Sequence, residues 1–310
     1  PIGGEWKVEG GRYMRFGIIS DEGAINCIRK AIDLGINFFD TADVYGRGHS
    51  EELLGKAIKG MRGRVVIATK FGHAFDEETK EDRGINYSPE YIVKACKNSL
   101  RRLNTEYIDL YQLHVWYVPP KEAYSIFETL ENLKEEGWIR EYGWSIDHPE
   151  CIDFLVNNTS ATAIQHQFNI FINADRILEI CENYDLASIN RSPLGMGLLS
   201  GKFQEDSKLD SEDIRGNNID WMIYFKDGKP NKELLSKLSA VREILTSKGR
   251  TLAQGALCYL LAKSEKTIPI PGFTNEKQVI ENAKALDFGP LTQEEVKEID
   301  ELIGEKVVIC

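Results

Sequence analysis

The 310-residue chain lacks three things: an apolar run approaching the ~20 residues that span a bilayer, a Cys-x-x-Cys pair, and a G-x-G-x-x-G turn after an early strand. These absences argue in turn against a membrane-spanning protein, against a zinc or dithiol centre, and against a doubly wound dinucleotide-binding sheet. The six cysteines, Cys27, Cys96, Cys151, Cys181, Cys258 and Cys310, are scattered and sit mostly inside apolar helical patterns. They read as reduced core residues in a reducing compartment. Cations are also in deficit: 38 Lys and Arg against 49 Asp and Glu give a net charge of −11. Such a balance excludes a general nucleic-acid or anionic-membrane binder, but a phosphate pocket needs only a few local cations. His49, His73, His148 and His166 have no ligand spacing with carboxylates, so no metal is expected. No signal-peptide pattern opens the chain at Pro1, and a cytoplasmic location is expected.

What is present is an alternation of short β-branched or aromatic runs with longer stretches of helical period, the pattern of β-α units around a parallel sheet. The strand candidates are Ile36–Asp40, Val65–Lys70, Tyr107–His114, Arg140–Ile146, Ala163–Asn169, Leu186–Ser192 and Thr267–Pro271. Helices are expected over Asp21–Leu34, from Ser88-Pro89-Glu90 onward, and over Lys232–Lys248 and Thr251–Lys263, with Gly35, Gly137 and Gly249 ending others. Seven units with no compositional break suggest a single (β/α)8 TIM barrel domain over residues 1–310 rather than an open sheet. Its first strand is expected upstream of Pro1, unless Phe16–Ile19 serves. The stretch between the last two strands carries a polar insertion, Glu205–Asn231, which reads as a functional loop.

In a barrel the C-terminal strand ends converge on one face, and three consecutive candidates end in ionisable groups: Asp40, Lys70 and His114. Strand parity turns Asp40 and Lys70 inward, where a buried Lys and Asp are costly unless paired. Tyr45 follows five residues after Asp40. An ammonium beside a phenol stabilises its phenolate and lowers its pKa, so Lys70 would activate Tyr45, Asp40 would hold Lys70, and His114 would orient a carbonyl oxygen. The plainer reading is a structural Asp–Lys pair beside a core tyrosine.

The segments GINFFDTADVYGRGHSEELLGKAI (35–58), VVIATKFG (65–72) and YIDLYQLH (107–114) resemble the aldo-keto reductase family in order, spacing and residue type. The resemblance extends over essentially the whole chain. It implies a TIM barrel that binds a nicotinamide cofactor without a Rossmann domain, and a catalytic tetrad falling on Asp40, Tyr45, Lys70 and His114. It further implies that Ser145 and Gln165 hold the nicotinamide carboxamide. In SPLGMGLLSGKF (192–203), Ser192, Leu194, Gly197 and Lys202 would approach the pyrophosphate. In IPIPGFTNEKQVIEN (268–282), Gly272, Thr274, Lys277, Gln278 and Asn282 would hold the adenosine phosphate at a helix start.

This sequence departs from that pattern at several places. Arg191 stands where many relatives stack an aromatic residue on the nicotinamide; a guanidinium can stack there too, but is expected to favour the reduced, neutral ring over the oxidised, cationic one. Thr274 replaces a common basic residue, so NADP(H) is expected as cofactor with NAD(H) also accommodated. Ile146 replaces an asparagine at the carboxamide site. Trp6, Trp116, Tyr117 and the cluster Trp221–Phe225 are candidates for an apolar substrate pocket or for packing between loops.

The expected activity is reversible reduction of a small aldehyde or ketone, with hydride from nicotinamide C4 and a proton from Tyr45. The alternatives are a cofactor-sensing regulatory subunit with little turnover and a metal-dependent barrel hydrolase using Asp40 and His114. A small-molecule carbonyl or alcohol is the expected partner, with neither nucleic acid nor membrane, and no feature indicates an oligomeric state.

Overall fold

Ser20 opens the first helix, α1 (Asp21–Asp33), its hydroxyl accepting from Gly23 N at 3.1 Å, and the buried Ala24, Cys27, Ile28, Ala31 and Ile32 repeat at helical spacing along one face. The computed structural model to which it belongs describes residue 17, residues 19–219 and residues 221–309. Next come β1 (Phe38–Asp40), α2 (His49–Ala57), β2 (Val66–Phe71), a hairpin of β3 (His73–Phe75) and β4 (Asp82–Ile85), and α3 (Pro89–Leu103). Then follow β5 (Ile108–Leu113), α4 (Pro120–Glu135), β6 (Ile139–Ser145), α5 (Pro149–Asn158), β7 (Ala163–Gln167), β8 (Ile172–Asn173), α6 (Asp175–Asn183) and β9 (Ala187–Arg191). The chain ends with the hairpin β10 (Phe225–Lys226) and β11 (Lys229–Pro230), α7 (Lys232–Thr246), α8 (Leu252–Lys263), β12 (Thr267–Pro269), α9 (Glu276–Ala283), α10 (Ala285–Phe288), α11 (Gln293–Ile303) and β13 (Val307–Val308).

Every expected strand forms: five are two residues shorter than expected, and β2 and β6 keep their expected length, shifted by one residue. The seven make one sheet in the order β1-β2-β5-β6-β7-β9-β12, with all six neighbour pairings parallel. Sequential parallel neighbours joined by outer helices are the (β/α)8 barrel arrangement. The expected first strand, upstream of Pro1 or at Phe16–Ile19, falls outside the described residues, Gly17 and Ile19 apart, and neither of those two is in a strand.

Period-2 alternation sets what each face carries. Inward residues Ala68, Leu110, Ala163 and Ile189 pack together in the interior, while outward ones such as Ile67, Tyr111, Trp144 and Ile164 join the core beneath the helices. Gly143 shows how tight the sheet is: a Cβ there would lie 2.4 Å from the Ala163 carbonyl oxygen. The expected caps are also found. Ser88 accepts from Tyr91 N ahead of Pro89, and Thr251 and Gln254 form a reciprocal capping box on α8. Among the described residues of 205–231 lie one 3-10 turn, Ile214–Gly216, and the β10–β11 hairpin.

Candidate active site

Asp40 ends β1, Lys70 sits one residue before the end of β2, and His114 immediately follows β5. The Lys70 ammonium is fully buried and donates to Asp40 Oδ2 at 2.6 Å and to the Thr41 carbonyl at 2.7 Å. The other carboxylate oxygen of Asp40 accepts from Gln165 Nε2 at 2.7 Å and from Gln112 Nε2 at 3.5 Å. The bond to Gln165 ties β1 to β7 across the barrel. Tyr45 opens the turn before α2, with the Lys70 ammonium 5.4 Å from its ring centroid and the His114 ring edge-on at 6.0 Å. The structure therefore brings all four expected groups to one place.

Their electrostatics differ from the sequence expectation in one respect. Burial pushes the Tyr45 hydroxyl above its ordinary pKa, and the opposing pull of Lys70 is the smaller effect. Resting Tyr45 is thus a protonated phenol, the form a proton donor needs. Burial, followed by the charges of Lys70, His73 and Arg191, holds His114 well below the usual imidazole range, so it is neutral near pH 7. Its Nδ1 is buried without a hydrogen-bond partner among the described residues.

Behind these groups lies a second buried charge cluster. Arg102 on α3 donates to Glu51 Oε2 on α2 at 2.7 Å and to Glu77 Oε1 at 2.6 Å, and Thr69 Oγ1 donates to Glu51 Oε1 at 2.5 Å. Arg102 thereby joins α2, on the active-site side, to the loop of the β3–β4 hairpin. His73 on that hairpin meets the His114 ring edge-on at 5.3 Å.

One long cleft starts at Asp40, Tyr45 and His114 and passes Ser145, Gln165 and Arg191. It continues along Ser192, Leu194, Gly197 and Lys202 to Gly272, Thr274, Gln278 and Asn282. Lys277 is the exception: it is exposed and does not line the cleft. Ser145 Oγ donates to Gln165 Oε1 at 3.4 Å. Thr274 donates from N at 2.7 Å and from Oγ1 at 3.1 Å to Gln278 Oε1, which turns the Gln278 amide nitrogen outward.

Gly197 has φ +91°, and a Cβ there would lie 3.2 Å from Arg215 Nη1 and 3.7 Å from Lys202 Cε. Two cations thus crowd one glycine turn, with the Arg215 guanidinium also paired with Asp213 at 2.6 Å and donating to the Met196 carbonyl at 3.0 Å. Burial and the neighbouring Arg215 charge depress the Lys202 pKa, against a smaller opposing pull from Asp213. A pair of cations on an open backbone turn suits a phosphate group. Among the described residues, no cluster of His, Cys, Asp or Glu is placed to hold a metal ion, and no helix is long and apolar enough to cross a membrane.

Three site features escaped the sequence reading. Arg215 comes from the 205–231 insertion, where it is the one arginine. Gln112 faces inward beside Lys70, its register partner across β2 and β5, and parity alone could have revealed it. Asp147, just past the expected strand end at Ile146, forms an ion pair with Arg191, a partner that the sequence reading did not supply. The aromatic candidates divide: Trp116, Trp221 and Ile223 line the cleft, Met222, Tyr224 and Phe225 are buried, and Tyr117 turns to His148 and Glu150. Trp6 lies outside the described residues.

Similarity to known proteins extends over most of the chain. An uncharacterized oxidoreductase of Bacillus subtilis, YqkF, is 35% identical over 277 residues, covering 88% of this chain and 85% of that protein. The glycerol dehydrogenase AKR11B4 from Gluconobacter oxydans superposes with a TM-score of 0.80 at 28% identity, covering 93% of this chain and 87% of the other. An aldo-keto reductase from Klebsiella pneumoniae in complex with NADPH superposes with a TM-score of 0.67 at 25% identity, covering 91% and 85%. The family profile itself matches residues 2–304, and the chain belongs to the aldo/keto reductase family.

Proposed function

We propose that this chain reduces an aldehyde or ketone to an alcohol, reversibly, with NADP(H) as preferred cofactor and NAD(H) as the weaker one. The observation that carries the reading is the buried Asp40–Lys70 pair beneath a protonated Tyr45, with neutral His114 across from it. When bound, the cofactor supplies hydride from nicotinamide C4 to the carbonyl carbon. Tyr45 gives its proton to the carbonyl oxygen, and Lys70 stabilises the phenolate left behind. Asp40 fixes Lys70 and keeps it charged, while His114 donates to the same oxygen and sets its position. In the reverse direction the Tyr45 phenolate takes the proton of an alcohol.

In this reading Ser145 and Gln165, which line the cleft beside Asp40, would hold the carboxamide, with Arg191 on the wall beside it. Ser192, Leu194, Gly197 and Lys202, joined by Arg215, suit the pyrophosphate. Gly272, Thr274, Gln278 and Asn282 suit the adenosine end, where Lys277 stands outside the cleft. The cofactor preference is supported by the NADPH-bound relative, and the lack of a basic side chain at Thr274 argues for tolerance of NAD(H). The 205–231 insertion, in this reading, belongs to the cofactor site through Arg215. Trp116, Trp221 and Ile223 offer the substrate an apolar wall.

The test is titration of the chain with NADPH and NADH, read by tryptophan fluorescence, followed by turnover on small aldehydes and ketones. Saturable binding, tighter for NADPH, together with carbonyl reduction is the expected result. Tight binding without turnover on any carbonyl would favour the regulatory-subunit reading, and absence of binding would overturn the proposal.

A further inference from the structure

Arg191 is the last residue of β9 and Asp147 lies two residues beyond β6, with β7 between them. Their side chains meet above β7 as an ion pair in which the Asp147 carboxylate is 1% exposed and the Arg191 guanidinium 28% exposed. Asp147 is held from below by the Gln167 backbone N–H, which donates to Oδ1 at 2.8 Å. On its open side Arg191 faces the Trp116 ring at 5.7 Å, and its charge reaches both Tyr45 and His114. The cleft wall beside the reacting groups therefore carries a cation in front and its counter-ion sealed behind.

We propose that Asp147 is the positioning residue that lets Arg191 lie against the nicotinamide without excluding the oxidised ring, and so sets the ratio of affinities for NADP+ and NADPH. The inference rests on reading this stretch of the cleft as the nicotinamide site. A lone guanidinium repels the cationic oxidised ring and leaves the neutral reduced ring little affected. With Asp147 beside it the net charge of the wall is near zero, and the discrimination shrinks.

The test measures Kd for NADP+ and NADPH by calorimetry at low salt in the wild-type chain, Asp147→Asn, Arg191→Gln and the double variant. Asp147→Asn keeps an oxygen for the Gln167 N–H and leaves Arg191 uncompensated. Its Kd ratio of NADP+ to NADPH is expected to rise about tenfold. Arg191→Gln leaves Asp147 uncompensated and should move the ratio the opposite way, while the double variant returns near wild type. Opposite shifts are a signature that loss of structure does not produce. Ratios within about twofold of wild type in both single variants, or shifts in the same direction, would overturn the proposal alone. Failure of the wild-type chain to bind either form would overturn the cofactor reading and the proposal with it.

Discussion

The two sides of the barrel hold their polar groups in different ways. On the side of β1, β2 and β5, Asp40, Lys70 and His114 lie on or directly beside strands, where ladder hydrogen bonds fix the backbone and buried pairs fix the side chains. On the side of β9 and β12 the cleft is built from turns, in which Ser192 and Met196 themselves take left-handed φ values of +53° and +54°. Strand geometry dictates which way a side chain points, so the first side holds its polar groups rigidly, as the proposed proton transfer requires. Turn geometry depends on distant packing, so the groups of the second side are fixed less directly by the local sequence.

The largest test of that contrast strikes the strand side. Lys70→Met removes the cation beneath Tyr45 and leaves the Asp40 carboxylate with only its amide partners. Steady-state turnover is expected to fall about a thousandfold while NADPH affinity stays within a few-fold. A comparable loss of binding would show that the two sides are not separable.

The next effect is on stability. Arg102→Met strips the buried Glu51 of its cation, and urea unfolding near neutral pH should show a loss of about 3–5 kcal/mol. A loss below about 1 kcal/mol would mean that the cluster behind the strands contributes little to holding them.

A third effect distinguishes the sealed outer face of the sheet from the open cleft. Burial pushes His166 down to about 4. Between about pH 6.5 and that value the unfolded chain binds a proton that the folded chain does not, so stability is complete above the window and falls as pH drops through it. The stability difference between the wild-type chain and His166→Asn should change by on the order of 3 kcal/mol between pH 7 and pH 4, with wild type losing ground. A pH-independent difference would place that histidine's proton elsewhere.

The smallest effect belongs to the turn side. Thr274→Arg adds a cation at the mouth of the cleft and should raise selectivity for NADPH over NADH about tenfold in Kd. An unchanged ratio would move the adenosine phosphate away from Thr274.

The same division governs what could be read from the sequence. Asp40 and Lys70 were legible because period-2 alternation turns both inward, and an inward Lys at a strand end demands the partner that the preceding strand supplies. Gln112 obeyed the same rule and was overlooked only because an amide is a weaker flag than a charge. The rise in the Tyr45 pKa was not legible, since it follows from depth of burial, which sequence spacing does not encode. Asp147 and Arg191 meet across an intervening strand, and Arg215 reaches Gly197 from an insertion whose course depends on tertiary packing. Lys277 shows the reverse case: motif position put it in the site, while its side chain at the start of α9 is exposed and outside the cleft lining.

The most direct test of the central claim is a single turnover of NADPH-loaded wild-type chain and Tyr45→Phe with a small aldehyde, following NADPH consumption and alcohol formation together. The account requires that wild type convert one to the other in step, and that Tyr45→Phe bind NADPH equally well but react at least about a thousandfold more slowly. Equal rates in the two proteins, or no reaction in a wild-type chain saturated with NADPH across the aldehydes and ketones tried, would contradict it.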